Sequence, residues 1–257
     1  MQVKETAIRA AKKTGDILLE FFGKAQKYQA KNDRDILAEA DLAAEKAIIE
    51  EISKNFPEHS IFSEEEGKIV KQSPYRWVMD PLDGTINFVN GIEEWCIAMA
   101  LEKDQELIFS LVYQPVLNKL YLAEKGKGAF LNDRQVFVSQ EREFLNMLLA
   151  FDNSSNHSVQ EKNCQIILEV CNKFRSLRLF GSGSLQLARM ASAEIDVYFK
   201  ATGPHYWDYA PGTLLVKEAG GMVTDFQGRE ITEDFQSILA SNGQKHQELL
   251  TMFQKFL

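Results

Sequence analysis

The sequence predicts a layered α/β fold, and three features carry that expectation. An apolar stripe of helical period opens the chain. Short apolar runs split by turn residues fill Cys96 to Val138, and helical and strand patterns alternate from there to the carboxyl end. No linker rich in Pro, Gly or Ser divides the chain, and neither an internal repeat nor a low-complexity tract interrupts it. A boundary near residue 140 is therefore expected to separate two subdomains, 1–140 and 141–257, of one functional unit.

In the first segment Ile8, Ala11, Gly15, Leu18 and Phe22 recur at spacings of three and four, which predicts a helix over residues 3–23. A polar loop, KYQAKNDRD, leads to a second stripe, Ala40, Ala44, Ala47, Ile48 and Ile52, that ends before Pro57 and places Asp41 near the start of its helix. HSIFSEEEG and YRWVMDPLDG read as two strands that each stop at acid. CIAMALE, LIFSLVYQP, KLYLAE and AFLN, broken by KDQ and GKG, predict an antiparallel meander. Beyond it come a strand at NMLLAFD, a helix over about 158–174, a strand near RSLRLF, a helix after GSGS and a strand at IDVYF. A helix over about 208–219, a strand at GMVTDF and a closing helix complete the chain.

Composition narrows the class. The chain has 257 residues, 45% of them hydrophobic and 11% aromatic, enough to bury a core without staples. Cys96, Cys164 and Cys171 form an odd set without a CxxC pair, so they read as small buried hydrophobes in a reducing cytoplasm and not as disulfides or a zinc knuckle. Twenty-nine Lys plus Arg face 37 Asp plus Glu, and the net charge of −8 argues against nucleic acid and anionic membranes as partners. The charged amino terminus lacks the apolar core of a signal peptide, and no segment reaches the length of a membrane span.

The carboxylates carry the chemistry. In WVMDPLDGTINFVNG a strand delivers Asp80 to its end, Pro81 cannot extend the ladder, and a reversal lets Asp83 face the same site. Gly84 permits close approach of the backbone to a ligand, and the Gly84 and Thr85 amides at a helix start suit a phosphate. Alone, this stretch also has a plainer reading as an Asp-Gly turn with a capping aspartate, SEEEG as a solvated acidic loop, and Asp208 as an N-cap. Together, acids at three apolar ends point to a cation site. Two like charges about 4 Å apart repel by about 4 kcal/mol at an effective dielectric near 20, so clustered carboxylates need counter-ions. An all-oxygen donor set favours Mg²⁺ or Mn²⁺ over zinc or copper. His59, His157 and His246 read as surface or loop residues, and His205 stands three before Asp208.

WVMDPLDGTINFVNG, FSEEEG and YWDYAPGTLLVKEAGG, with AEADLAAE and EKGKGAFLN, closely resemble the motifs of the inositol monophosphatase family of Mg²⁺-dependent phosphatases across essentially the whole chain. The resemblance implies a five-layered α-β-α-β-α sandwich of α/β (α+β) class, a homodimer, sensitivity to Li⁺, and hydrolysis of a small phosphomonoester by metal-activated water. It implies two or three Mg²⁺ per site, Mn²⁺ being the alternative. Glu64, Asp80 and the Leu82 carbonyl correspond to ligands of the first metal, and Asp80, Asp83 and Asp208 to those of the second. Glu65 matches an acid acting through waters, and Asp41 with Thr85 matches the pair that orients and deprotonates the attacking water.

Asp83, Gly84 and Thr85 correspond to the phosphate-binding turn. Gly183 and Ser184 fall near the family's substrate wall, and Ser154 and Ser155 are weaker candidates for it. Inositol-hydrolysing members commonly carry a Glu shortly before the Trp-Asp pair; here YFKATGPHYWD is one residue longer and offers Lys200 or Ala201, so Lys200 becomes a substrate-binding candidate. The expected substrate is a small phosphorylated sugar, polyol or nucleotide. Inositol 1-phosphate leads; fructose 1,6-bisphosphate, NADP and 3'-phosphoadenosine 5'-phosphate follow. A regulatory binding protein on the same fold is the reading from another class.

Overall fold

Strand faces in this chain alternate with a period of two, and that alternation sorts its apolar residues into three separate cores. The structure, a computed structural model, describes residues 2–23, 33–152 and 157–256, without the side chains of 33–38 and 157–159. Two helices come first, α1 (Gln2–Phe21) and α2 (Asp33–Asn55). An eight-stranded sheet follows. Its strands are β1 (Ser60–Ser63), β2 (Gly67–Ile69), β3 (Tyr75–Asp83), β4 (Cys96–Lys103), β5 (Glu106–Gln114), β6 (Lys119–Glu124), β7 (Gly128–Leu131) and β8 (Arg134–Val136), in the order β2-β1-β3-β4-β5-β6-β7-β8. A short helix, α3 (Thr85–Val89), leaves the end of β3.

The second sheet has five strands. Along the chain run β9 (Leu148–Phe151), α4 (His157–Val170), β10 (Ser176–Arg178), α5 (Gly183–Ala191), β11 (Val197–Lys200), α6 (Tyr206–Glu218), β12 (Met222–Thr224), β13 (Ile238–Ser241) and α7 (His246–Phe253). The sheet order is β10-β9-β11-β13-β12.

On β3 and β4, Trp77, Met79, Ile97, Met99 and Leu101 face α1 and α2, whereas Val78, Cys96, Ala98 and Ala100 face α5 and α6. On β9, β11 and β13, Ala150, Tyr198 and Ala240 face α5 and α6, whereas Leu149, Val197, Phe199 and Leu239 face α4 and α7. Helix pair, sheet, helix pair, sheet, helix pair: the five layers follow from residue parity alone. The expected sandwich is the observed one. The inner faces carry alanines, which let α5 and α6 sit between two sheets. That middle core draws on both sheets, so the two sheets share one interior.

Several local expectations change. Helix α2 begins at Asp33, two turns earlier than its apolar stripe indicates, so Asp41 lies within the helix and not at its start. The rest of the polar loop, residues 27–32, lies outside the described residues. Strand β13 is absent from the sequence expectation: Ile238–Ser241 is buried on both faces, so it shows no alternation, and its small residues resemble a loop. His59 and His246, expected at the surface, are buried at 6% and 3% exposure. His59 stacks between Phe56 and Tyr75 and accepts the Trp77 indole N–H at 3.1 Å. His246 bridges Thr224 and Ser241 at 2.9 and 2.8 Å. The side chain of His157 lies outside the described residues. Cys96 is buried as expected, but Cys164 and Cys171 are exposed on α4 and the turn after it.

Candidate active site

The site begins with a β-bulge. Asp80 pairs with Ala98 and Asp83 with Cys96, so three steps on β3 oppose two on β4. In a regular strand, residues three apart point to opposite faces. The extra residue at Pro81-Leu82 cancels that difference, and both carboxylates turn to the face shared by Ala98 and Cys96. Pro81 therefore does not end the ladder; the ladder shifts and resumes at Asp83. Strand β1 runs parallel to β3 with Ser63 opposite Met79, which carries Glu64 to the same end of the sheet as Asp80.

Asp80 is 2% exposed, and its Oδ1 accepts the Leu82 N–H at 2.9 Å. The Leu82 carbonyl accepts the Thr85 hydroxyl at 3.0 Å. Gly84 has φ of 96° and marks the start of α3. A Cβ there would stand 2.7 Å from the Glu94 carbonyl, so it is the chain's own backbone that requires glycine at this point.

Asp83 is anchored from the second half of the chain. Its Oδ2 accepts the Ser182 hydroxyl at 2.8 Å and the Ser184 N–H at 2.7 Å, and its Oδ1 accepts the Gly183 N–H at 3.3 Å. A carboxylate at the first turn of α5 also meets the positive end of the helix. Ser184 is fully buried and donates its hydroxyl to the Asp208 carbonyl at 2.5 Å. Ser184 thus ties two acids together and does not line the cavity, whereas Gly183 does. A Cβ at Gly183 would collide with Tyr209 at 2.7 Å. Asp208 is the third residue of α6, not its cap; His205 precedes the helix, donates its N–H to the Asp208 carboxylate at 3.4 Å and stacks on Trp207.

These acids strain one another. Burial, then Asp208, Glu65, Asp41 and Asp83 in turn, push Glu64 up to about 8, although the residue as a whole is exposed. Burial, with Glu65 and Glu45, pushes Asp41 up to about 7. Asp83 rises to about 7 through burial and Asp208, against the pull of Ser182 and Ser184. Burial, Glu64, Asp83 and Asp208 hold Asp80 well above the carboxylate range, and burial raises Asp208 while Lys200 and His205 oppose it. Among the described residues no three acids converge tightly enough to form a ready metal cage. The donor set fits a hard cation all the same: every candidate ligand is an oxygen, and their mutual repulsion is the term that a cation removes.

Asp83, Gly84, Thr85, Gly183 and Asp208 open onto one cavity of about 470 Å³, which Lys200 and Tyr209 also line. Thr85 is not hydrogen-bonded to Asp41; its hydroxyl proton goes to Leu82. Glu65 and Glu66 are exposed, and Glu66 donates its N–H to Glu45 at 3.1 Å. Ser154 and Ser155 lie outside the described residues. Two residues escaped the sequence reading. Ser182 holds Asp83, and Asp152 accepts Gly181 N–H, the Gln186 amide and the Tyr198 hydroxyl at 3.1, 2.6 and 2.7 Å. Asp152 closes the strand expected at NMLLAFD, another apolar run ending in acid, the same signal that marked Asp80.

The model of the inositol monophosphatase family matches residues 1–256. The chain belongs to this family. As a family member it is a phosphatase, and the family is generally metal-dependent. It is similar to inositol monophosphatase 3 of Solanum lycopersicum, 34% identical over 247 residues that cover 94% of this chain and 92% of that protein. It is also similar to the fructose-1,6-bisphosphatase/inositol-1-monophosphatase of Thermotoga maritima, 34% identical over 245 residues, 95% and 93% of the two chains. The crystal structure of the extragenic suppressor protein suhB from Bartonella henselae superposes with a TM-score of 0.91 at 31% identity over the full length of both chains. Among the described residues no helix is long and apolar enough to cross a membrane.

Proposed function

We propose that this family member hydrolyses a small phosphomonoester in the cytoplasm, with inositol 1-phosphate as its reference substrate and fructose 1,6-bisphosphate, NADP and 3'-phosphoadenosine 5'-phosphate as the alternatives. The observation that carries this reading is the β-bulge, which turns Asp80 and Asp83 to one face where α6 brings Asp208. Glu64, Asp80, the Leu82 carbonyl, Asp83 and Asp208 would hold two or three Mg²⁺, or Mn²⁺ in their place. Bound there, such ions lower the pKa of water and neutralise charge on the phosphoryl oxygens.

The chain's own groups divide the remaining work. Because the Thr85 hydroxyl donates to Leu82, it offers only lone pairs to a ligand. It therefore accepts a hydrogen bond from the attacking water and aims that water's free lone pair at phosphorus. Asp41, raised to about 7, is matched to accept a proton near neutral pH. Glu65 acts beside it through solvent. The amides of Gly84 and Thr85, at the start of α3, hold the phosphate in line, a donor pair already fixed by the turn. Residues 1–140 contribute Glu64, Asp80 and Asp83 and residues 141–257 contribute Asp208 and the facing wall. A homodimer is the expected assembly, to be checked by sedimentation.

Phosphate release from this substrate panel, measured with Mg²⁺ and with excess chelator, tests the reading. Activity should vanish in chelator and return with Mg²⁺, and Asp83→Asn should abolish turnover. Full activity in chelator would sink it.

A further inference from the structure

CIAMALE also ends in acid, yet its Glu102 lies outside the active-site cavity. Parity sends Ala98, Ala100 and Glu102 of β4 to the inner face, where Glu102 is 1% exposed. A carboxylate so buried needs partners, and two other elements supply them. On β3, Arg76 stands opposite Glu102 in register and donates its Nε to Oε2 at 2.7 Å. From α6, the Tyr206 hydroxyl donates to Oε1 at 2.5 Å. Burial and Glu102 raise that hydroxyl above its ordinary pKa, so it stays a donor at neutral pH.

Arg76 extends the set of contacts. Its Nη1 donates to Glu233 at 2.8 Å, in the loop between β12 and β13, and Glu233 in turn pairs with Lys68 of β2. Lys68 and Arg76 both lie over the Phe62 ring, 4.8 and 5.5 Å from its centroid, and Phe62 meets Trp207 edge to face at 5.1 Å. The outer pair, Lys68 at 47% and Glu233 at 33% exposure, is screened by solvent; the Glu102 bonds are buried and directional. The elements gathered here are those that carry the acids of the site: Glu64 follows β1, Asp80 lies in β3 and Asp208 in the first turn of α6. Among the described residues lining the 470 Å³ cavity, none belongs to this network. Arg76 stands four residues before Asp80 on β3, about 13 Å away at the rise of a strand. Arg76, Glu102, Tyr206 and Glu233 line a separate cavity of about 500 Å³. Tyr206 is the first residue of α6 and Asp208 the third, so within one helical turn the docking of the Tyr206 hydroxyl fixes where Asp208 stands.

We propose that Glu102, fixed by Arg76, is a positioning residue: its bond to the Tyr206 hydroxyl seats the first turn of α6 against β4 and thereby places Asp208 beside Glu64, Asp80 and Asp83. This rests on the reading of those acids as a cation site and goes beyond it, because Glu102 acts without touching cation or substrate. Its loss is a defect in cation affinity. A hydrophobic residue of similar volume in place of a buried charge can leave stability level, so the effect on affinity separates from any effect on the fold.

The test titrates Mn²⁺ into the full chain and follows the electron paramagnetic resonance signal of free Mn²⁺, a readout that needs no turnover. Tyr206→Phe and Glu102→Leu should each bind the cation about 10-fold more weakly than the wild type, the lower end for groups that orient metal ligands. The double variant should match the single ones and not their product, because both remove one bond. Glu102→Gln keeps an acceptor oxygen for the Tyr206 hydroxyl and should recover most of the affinity. In phosphate release, the Mg²⁺ concentration for half activity should rise by the same factor, while KM for the substrate at saturating Mg²⁺ changes little. Thermal unfolding in chelator registers any loss of the fold. Should Glu102→Leu fail to fold, Tyr206→Phe, the loss of one oxygen, decides alone. Wild-type cation affinity in Tyr206→Phe, whatever its Tm, overturns the proposal, and so do losses that multiply in the double variant. Absence of hydrolysis by the wild type overturns the phosphatase reading alone, because the Mn²⁺ titration still decides the role of Glu102. Absence of Mn²⁺ binding by the wild type overturns the proposal together with the cation site.

Discussion

Crowded acids make stability depend on pH in a direction opposite to that of most carboxylates. Asp41 and Asp83 are raised to about 7 and Glu64 to about 8, all above their unfolded values. Between the two pKa values the folded state binds the extra proton, so stability falls as pH rises through the folded pKa. Over about pH 6.5 to 8.5, Asp41 and Asp83 each forfeit a little under 1 kcal/mol. Glu64 would forfeit about 2 kcal/mol if sealed, and about 1 after discounting for its exposure to solvent. The sum, about 2–3 kcal/mol, corresponds to roughly 4–12 °C in Tm for a chain of this size. His246 stays neutral over this window and disturbs the measurement little.

The assay is thermal unfolding in chelator at the two pH values, repeated with Mg²⁺. The Tm should drop as pH rises in chelator. Mg²⁺ should restore it at the upper pH and act weakly at the lower one, where protons already screen the acids. A flat or rising Tm in chelator, together with no response to Mg²⁺, would refute the clustering argument.

Thr85→Ala should lower kcat by about 10²-fold or more while the Mg²⁺ concentration for half activity stays put; an unchanged kcat would reduce Thr85 to bracing Leu82. Ser182→Ala removes a hydroxyl that holds Asp83 down, so the acidic limb of the pH–rate profile should move to higher pH, and an unmoved limb would refute that role for Ser182. Burial lowers His246 to about 4, below its unfolded value, so its contribution is complete above the unfolded pKa and is lost as pH falls towards 4. Urea unfolding should show His246→Gln losing about 2–3 kcal/mol less than the wild type between neutral pH and pH 4, and equal losses would contradict it. On the family resemblance, Li⁺ should inhibit turnover, a measurement made alongside the Mg²⁺ titration.

The amino-acid sequence by itself determined which acids end apolar segments, and with them the turn at Asp80-Asp83, the Glu64 position and Asp208. It also determined the meander and the alternation of helices and strands. Those features are local: a strand's period and a turn's proline or glycine are written in neighbouring residues. Tertiary structure alone decided how the pieces meet. The bulge that puts Asp80 and Asp83 on one face is a mismatch between β3 and β4, and neither strand reveals it separately. Ser182 and Ser184 hold Asp83 across about a hundred residues of chain, a pairing without local periodicity. Strand β13 is legible only as the buried neighbour of β11 and β12, and His59 and His246 are buried by the rings and hydroxyls packed around them. Lys200 could face solvent or the cavity from its place at the end of a strand. The cavity that it lines together with Asp83, Asp208 and Tyr209 makes it part of the site.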